Sequence, residues 1–170
     1  MAYFRLRREA EHWFKHIRNS NGISLDFDSY YYCFMAGLAT GQKNDMKGED
    51  SRSQSEKPKD LVDNFPDRYK PMGKILVALF LRQEIAQMGV SLDCRDEVYQ
   101  VVQNLIQPDS PSFLTDQGVK EFNKYAFAGY DVLTEWFPDQ PRELDTFLRT
   151  FKRKIDEVAT NFPKALPISI

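Results

Sequence analysis

Apolar residues recur at three- and four-residue intervals along most of this chain, and no convincing alternation of apolar and polar positions extends over the length of a strand. Over residues 8–19, Ala10, Trp13, Phe14 and Ile17 share one helical face, and Ser20-Asn21-Gly22 follows as a turn, so the spacing predicts a short amphipathic helix. Asp28 or Ser29 is suited to cap a second helix through residues 30–39, and Gly41 is placed to close it with a left-handed residue. That segment is apolar on nearly every face and is expected to be central. Pro71 precedes a third helix over 74–88, with an unbroken aliphatic and aromatic run from Ile75 to Leu81 and a stop at Gly89; it is expected to be the second buried helix.

Ser91 or Asp93 can cap a fourth helix in which Val98, Val101, Val102, Leu105 and Ile106 form a stripe ending before Pro108. Thr115 caps a fifth that carries Val119, Phe122, Tyr125, Ala126, Val132, Leu133 and Trp136 as far as Pro138. Pro141 suits the first turn of a sixth, with Leu144, Phe147, Leu148, Phe151, Ile155 and Val158 on one face. Six helices without an internal repeat predict an all-α, single-domain helical bundle over 1–170. Between Gln42 and Asp60 only Met46 is strongly apolar, so 42–60 is expected to be a flexible polar loop. A small hairpin is allowed near 23–27. The tail over 161–170 ends in Leu166, Ile168 and Ile170, which can dock on the domain or on a neighbour.

A domain of 170 residues buries roughly 70% of its unfolded surface and needs no staple to fold. Thirteen Phe and an aromatic share of 14% mean that large rings are buried, either inside or against a partner. With 23 basic against 25 acidic residues, no whole-molecule field draws the chain to nucleic acid or anionic lipid, and any such binding has to be local. The first residues lack a leader pattern, and the longest aliphatic run falls far below the roughly 20 residues of a membrane span. The expectation is a protein neither exported nor membrane-spanning. Cys33 and Cys94 form no paired motif, which fits a reduced, cytoplasmic setting with both thiols buried or half-buried.

Chemistry-bearing patterns are sparse. Glu9, His12 and His16 fall on one helical face, but a metal site needs further ligands and the chain has no third histidine. No nucleophile elbow, P-loop or dinucleotide fingerprint occurs, so neither catalysis nor a cofactor is expected. Asp26-Phe27-Asp28 and the acidic run Asp93, Asp96 and Glu97 precede helices, where carboxylates serve as caps and favour the helix dipole. Two basic groups remain. One is Arg5, Arg7, Arg8, Lys15 and Arg18, interleaved with Tyr3, Phe4, Trp13 and Phe14; the other is Arg149, Lys152, Arg153 and Lys154. Acids flank both. From these groups Arg5, Arg8, Trp13, Arg149, Lys152 and Arg153 are the candidate contacts with a protein partner or nucleic acid.

Two stretches carry a family resemblance. Phe27-Asp28-Ser29-Tyr30-Tyr31-Tyr32-Cys33-Phe34-Met35-Ala36-Gly37-Leu38-Ala39-Thr40-Gly41 and Tyr125-Ala126-Phe127-Ala128-Gly129-Tyr130-Asp131-Val132-Leu133-Thr134-Glu135-Trp136-Phe137 together resemble the small accessory proteins of bacterial phage-defence gene clusters. The DNA phosphorothioation-associated family is the nearer likeness, and the small middle subunits beside SMC-like ATPases in Lamassu-type systems the looser one. The resemblance implies a non-catalytic subunit that works with a DNA-acting ATPase or nuclease and meets DNA through the complex; it carries over no catalytic residue. A direct nucleic-acid binder, a small metalloenzyme using Glu9, His12 and His16, and a self-contained homodimer stand beside it.

Overall fold

The computed structural model describes residues 2–19, 22–46, 48, 53 and 57–161, with backbone alone at 160 and 161. Its elements are β1 (Arg5–Leu6), α1 (Arg8–Trp13), α2 (Asp26–Thr40), β2 (Lys59–Asp60), α3 (Lys70–Gln87), α4 (Arg95–Leu105), α5 (Asp116–Trp136) and α6 (Leu144–Asn161). The chain is a single helical body of the all-α class. Its one sheet among the described residues is an antiparallel ribbon pairing Arg5 with Asp60 and Leu6 with Lys59.

Helix α2 starts at Asp26, four residues ahead of the predicted 30–39, because Asp28 caps it from the inside. Its carboxylate accepts the backbone N–H groups of Ser24 (2.9 Å) and Leu25 (2.8 Å), which the helix itself leaves without partners. Gly41 ends the helix at φ 67°, and the N–H of Gln42 returns to the Gly37 carbonyl at 2.9 Å. In α5 the Thr115 hydroxyl accepts the Gly118 N–H at 2.9 Å, the cap its sequence position calls for.

α2 and α5 form the centre of the molecule and touch backbone to backbone. A Cβ on Gly37 would stand 2.0 Å from the Tyr125 carbonyl oxygen, and one on Gly129 would stand 1.6 Å from that of Cys33. The two stretches that carry the family resemblance are thus the two halves of this helix pair. Around it the aromatic residues divide into two groups. Phe34 stacks on Phe122 at 3.8 Å, and Phe4 lies within 5.6 Å of Phe27, Tyr30, Phe65 and Phe122. At the other end, Trp13, Phe14, Tyr32 and Phe137 surround Phe147, which anchors α6.

Several expectations need correction. The first helix stops at Trp13 rather than Asn19. Past it the backbone mixes shorter three-residue bonds, such as Lys15 N–H to His12 C=O, until Asn19 turns left-handed at φ 65°. Residues 23–27 form no hairpin, since Phe27 is inside α2. The loop over 42–60 is not uniformly free: Lys59 and Asp60 are in β2, and Lys43 is tied down by two carboxylates described below. Residues 47, 49–52 and 54–56 lie outside the described residues, as does the tail beyond Asn161. α4 begins at Arg95, after Cys94, without a side-chain cap from Ser91 or Asp93, and Pro141 lies three residues ahead of α6. The third helix differs most: α3 is buried on one side only.

Candidate interaction surface

The carboxylates that looked available for chemistry are used by the fold. Asp28 is fully buried and, besides capping α2, takes hydrogen bonds from Arg68 (3.1 Å) and the Tyr69 hydroxyl. Burial and that bond to Asp28 push the Tyr69 phenol far above its ordinary range. Asp26 pairs with Lys59 (2.7 Å) and Arg18, and Lys59 also reaches Glu11 at 2.8 Å, which joins β2 to α1 and α2. Hydrogen bonds that it donates to Asp26 and Glu11 raise the Lys59 pKa, and the bond from Lys59 lowers that of Glu11.

A second cluster lies beneath the start of the polar loop. Glu84 of α3, only 2% exposed, accepts the Tyr125 hydroxyl at 2.7 Å and pairs with Lys43 at 2.8 Å. The same ammonium meets Glu121 at 2.6 Å. Burial pushes the Glu121 carboxyl up, but hydrogen bonds from Lys43 and Lys124 outweigh it, and the pKa is lowered. These are three-way charged networks linking loop, α3 and α5.

The predicted contact residues fall into two classes. Trp13 is in the core, 8% exposed, edge-on to Phe14, Phe137 and Phe147, and offers a partner nothing. Arg5 donates to Asp60 at 2.7 Å across the ribbon, and Arg8 to the Lys57 carbonyl at 3.0 Å, so both brace β2. Arg149, Lys152 and Arg153, by contrast, stand on the solvent side of α6. Each has an acid one turn away: Asp145 at 3.0 Å, Asp156 at 2.7 Å and Glu157 at 3.9 Å. The result is a face laced with both signs, not a cationic track for a phosphate backbone. His12 and His16 are both exposed, and no three His, Cys, Asp or Glu groups converge on one ion position among the described residues. Cys33 is buried and its thiol is pushed up by burial, whereas Cys94 is exposed, contrary to the expectation of two covered thiols.

The surface that sequence reasoning missed lies on α3. Leu76, Val77, Phe80, Glu84 and Ile85 face inward, while Ile75 and Leu79 are 60% and 40% exposed on the opposite side. Of the eight large apolar side chains exposed among the described residues, five fall between Ile75 and Tyr99: Ile75, Leu79, Met88, Leu92 and Tyr99. Scattered apolar exposure is ordinary, but a concentration on one helix, the turn after it and the start of the next helix marks a contact surface. In the unbroken run from Ile75 to Leu81 no polar residue flags the outward positions, which is why periodicity did not reveal it.

One cleft, of about 580 Å³, opens between α5 and α6; its buried lining residues are Phe137, Pro141 and Phe147, and its polar lining, which includes Arg142 and Glu143, is exposed. Among the described residues no helix is long and apolar enough to cross a membrane. No family model, no curated protein and no solved structure matches this chain.

Proposed function

We propose that this protein is a non-catalytic adaptor subunit of a bacterial DNA-targeting defence complex, working in the cytoplasm beside an SMC-like ATPase or a nuclease. The observation that carries the adaptor reading is the exposed apolar stripe of α3, with Ile75 and Leu79 facing solvent from a helix whose other side is core. The placement of the titratable groups supports it further. Asp28, Glu84 and Glu121 hold helices and loop together. The defence setting comes from the resemblance of the α2 and α5 segments alone.

In this reading α6 offers the partner ATPase or nuclease its mixed-charge face, through Arg149, Lys152 and Arg153. Ion pairs at the rim of an interface fix register and steer encounter more than they add affinity. The test is affinity purification of the tagged chain from cells carrying its native gene neighbourhood. A stoichiometric ATPase or nuclease in the eluate is the expected result, and recovery of this chain without one overturns the proposal. Direct nucleic-acid binding would instead give the purified chain a salt-sensitive affinity for DNA, which the paired charges of α6 argue against.

A further inference from the structure

We propose that the outer stripe of α3 is a self-association seam on which a second copy of this chain docks antiparallel about a two-fold axis. The inference rests on reading that face as an interface and adds its occupant. Ile75, Ala78, Leu79, Arg82 and Ala86 recur at three- and four-residue spacing on the side away from Phe80 and Glu84, and all five are exposed. Such a stripe fits the same stripe of another helix packed along its length, with knobs from one filling holes in the other.

Charge supplies the orientation and the choice of partner. Lys74 stands at the N-terminal end of the stripe, with its ammonium 5.5 Å over the Phe113 ring and in no ion pair with a described residue. At the far end, roughly 20 Å away at the helical rise of about 1.5 Å per residue, the turn after α3 and the start of α4 carry Asp93, Asp96 and Glu97 against one Arg95. None of these acids forms an ion pair with a described residue, unlike the charges of α6, which satisfy one another. Parallel docking would oppose like charges. Antiparallel docking sets the Lys74 end of each copy against the acidic end of the other, and a two-fold axis makes that contact twice. The patch carries apolar residues on either side of Arg82, with Lys74 at one end and the acids at the other, and antiparallel pairing makes it complementary to itself. Leu92, 71% exposed, and Met88, 53% exposed, widen the apolar area at the acidic end.

The experiment is sedimentation equilibrium of the purified full chain across the micromolar range, with circular dichroism as the check on folding. A dimer is expected. Leu79→Glu and, independently, Ile75→Glu should weaken it at least about tenfold, the effect of roughly 1.4 kcal/mol, with an unchanged helical spectrum because both positions are exposed. Lys74→Glu and Asp96→Lys should each weaken it, and the double exchange should restore it. A monomer throughout the range overturns the inference, and so does a dimer indifferent to both glutamate variants and to the charge exchange. Its fate is separable from that of the adaptor reading. A monomeric chain that still copurifies with an ATPase or nuclease loses the seam and keeps the adaptor. A dimer that responds as described but recovers no such partner keeps the seam and loses the adaptor.

Discussion

Gly129 lies against the backbone of Cys33 so closely that a methyl group on it would sit 1.6 Å from the Cys33 carbonyl oxygen. Gly37, on the same helix as Cys33, makes the reciprocal approach: a Cβ added there would stand 2.0 Å from the Tyr125 carbonyl oxygen. A side chain at either position has to push α2 and α5 apart along the centre of the core. Gly129→Ala should therefore cost about 3 kcal/mol or more, at or beyond the upper end of ordinary overpacking, with Gly37→Ala close behind. Gly89 is the control: no neighbour lies within 4 Å, and only its φ of 68° resists a side chain. Gly89→Ala should cost about 1 kcal/mol. Urea denaturation of the three variants orders them.

This contact also shows what was legible in the chain. The α2 segment stands out because it is apolar on nearly every face and contains small residues, the α5 segment by its apolar spacing, and the caps at Asp28, Gly41 and Thr115 follow local rules that operate within a few residues. What could not be read was long-range. Nothing near Lys43 announces that Glu84 and Glu121 will receive it, since those carboxylates lie 41 and 78 positions further on. Trp13 looked like an exposed anchor because its own helix is short and charged; only the packing of α6 shows that Phe147 covers it. The outward side of α3 was hidden by a run with no polar break.

Among the described residues Lys43 is the single cation paired with Glu84, a carboxylate that is 2% exposed. Lys43→Met should destabilise the protein by about 3 kcal/mol, because it leaves Glu84 charged and without its cation in the interior. Lys43→Met combined with Glu84→Gln should recover part of the loss, since an amide costs less to bury than an unpaired carboxylate. Thermal melts at neutral pH measure both.

Stability should fall in acid through this cluster and through the one that joins Glu11, Asp26 and Lys59. The Glu121 pKa is lower in the folded protein than the usual glutamate value of 4.5, and so is that of Glu11. Groups lowered by folding contribute above the unfolded value and lose that contribution as pH falls through the folded one. Unfolding midpoints in urea should thus hold steady above pH 4.5 and decline below it. Glu121→Gln should make the decline shallower. An acid limb of unchanged steepness in that variant contradicts the assignment.

The two cysteines should react differently. Cys33 is buried within α2 with its thiol pushed up by burial, while Cys94 is exposed at the start of α4. A thiol reagent added to the native protein should titrate one group quickly and the second only on unfolding, because the thiolate is the reactive form and needs access. Cys94→Ser should abolish the fast phase.

The adaptor reading is tested most directly by one purification. The tagged chain, beside a variant carrying Arg149→Glu, Lys152→Glu and Arg153→Glu, is recovered from cells that hold its native gene neighbourhood, and the eluates are compared by mass spectrometry and light scattering. The three side chains are exposed, and each substitution should change stability by no more than about 0.5 kcal/mol. The account predicts a stoichiometric ATPase or nuclease with the wild-type chain and its depletion with the variant. Recovery of the wild-type chain with neither would contradict it.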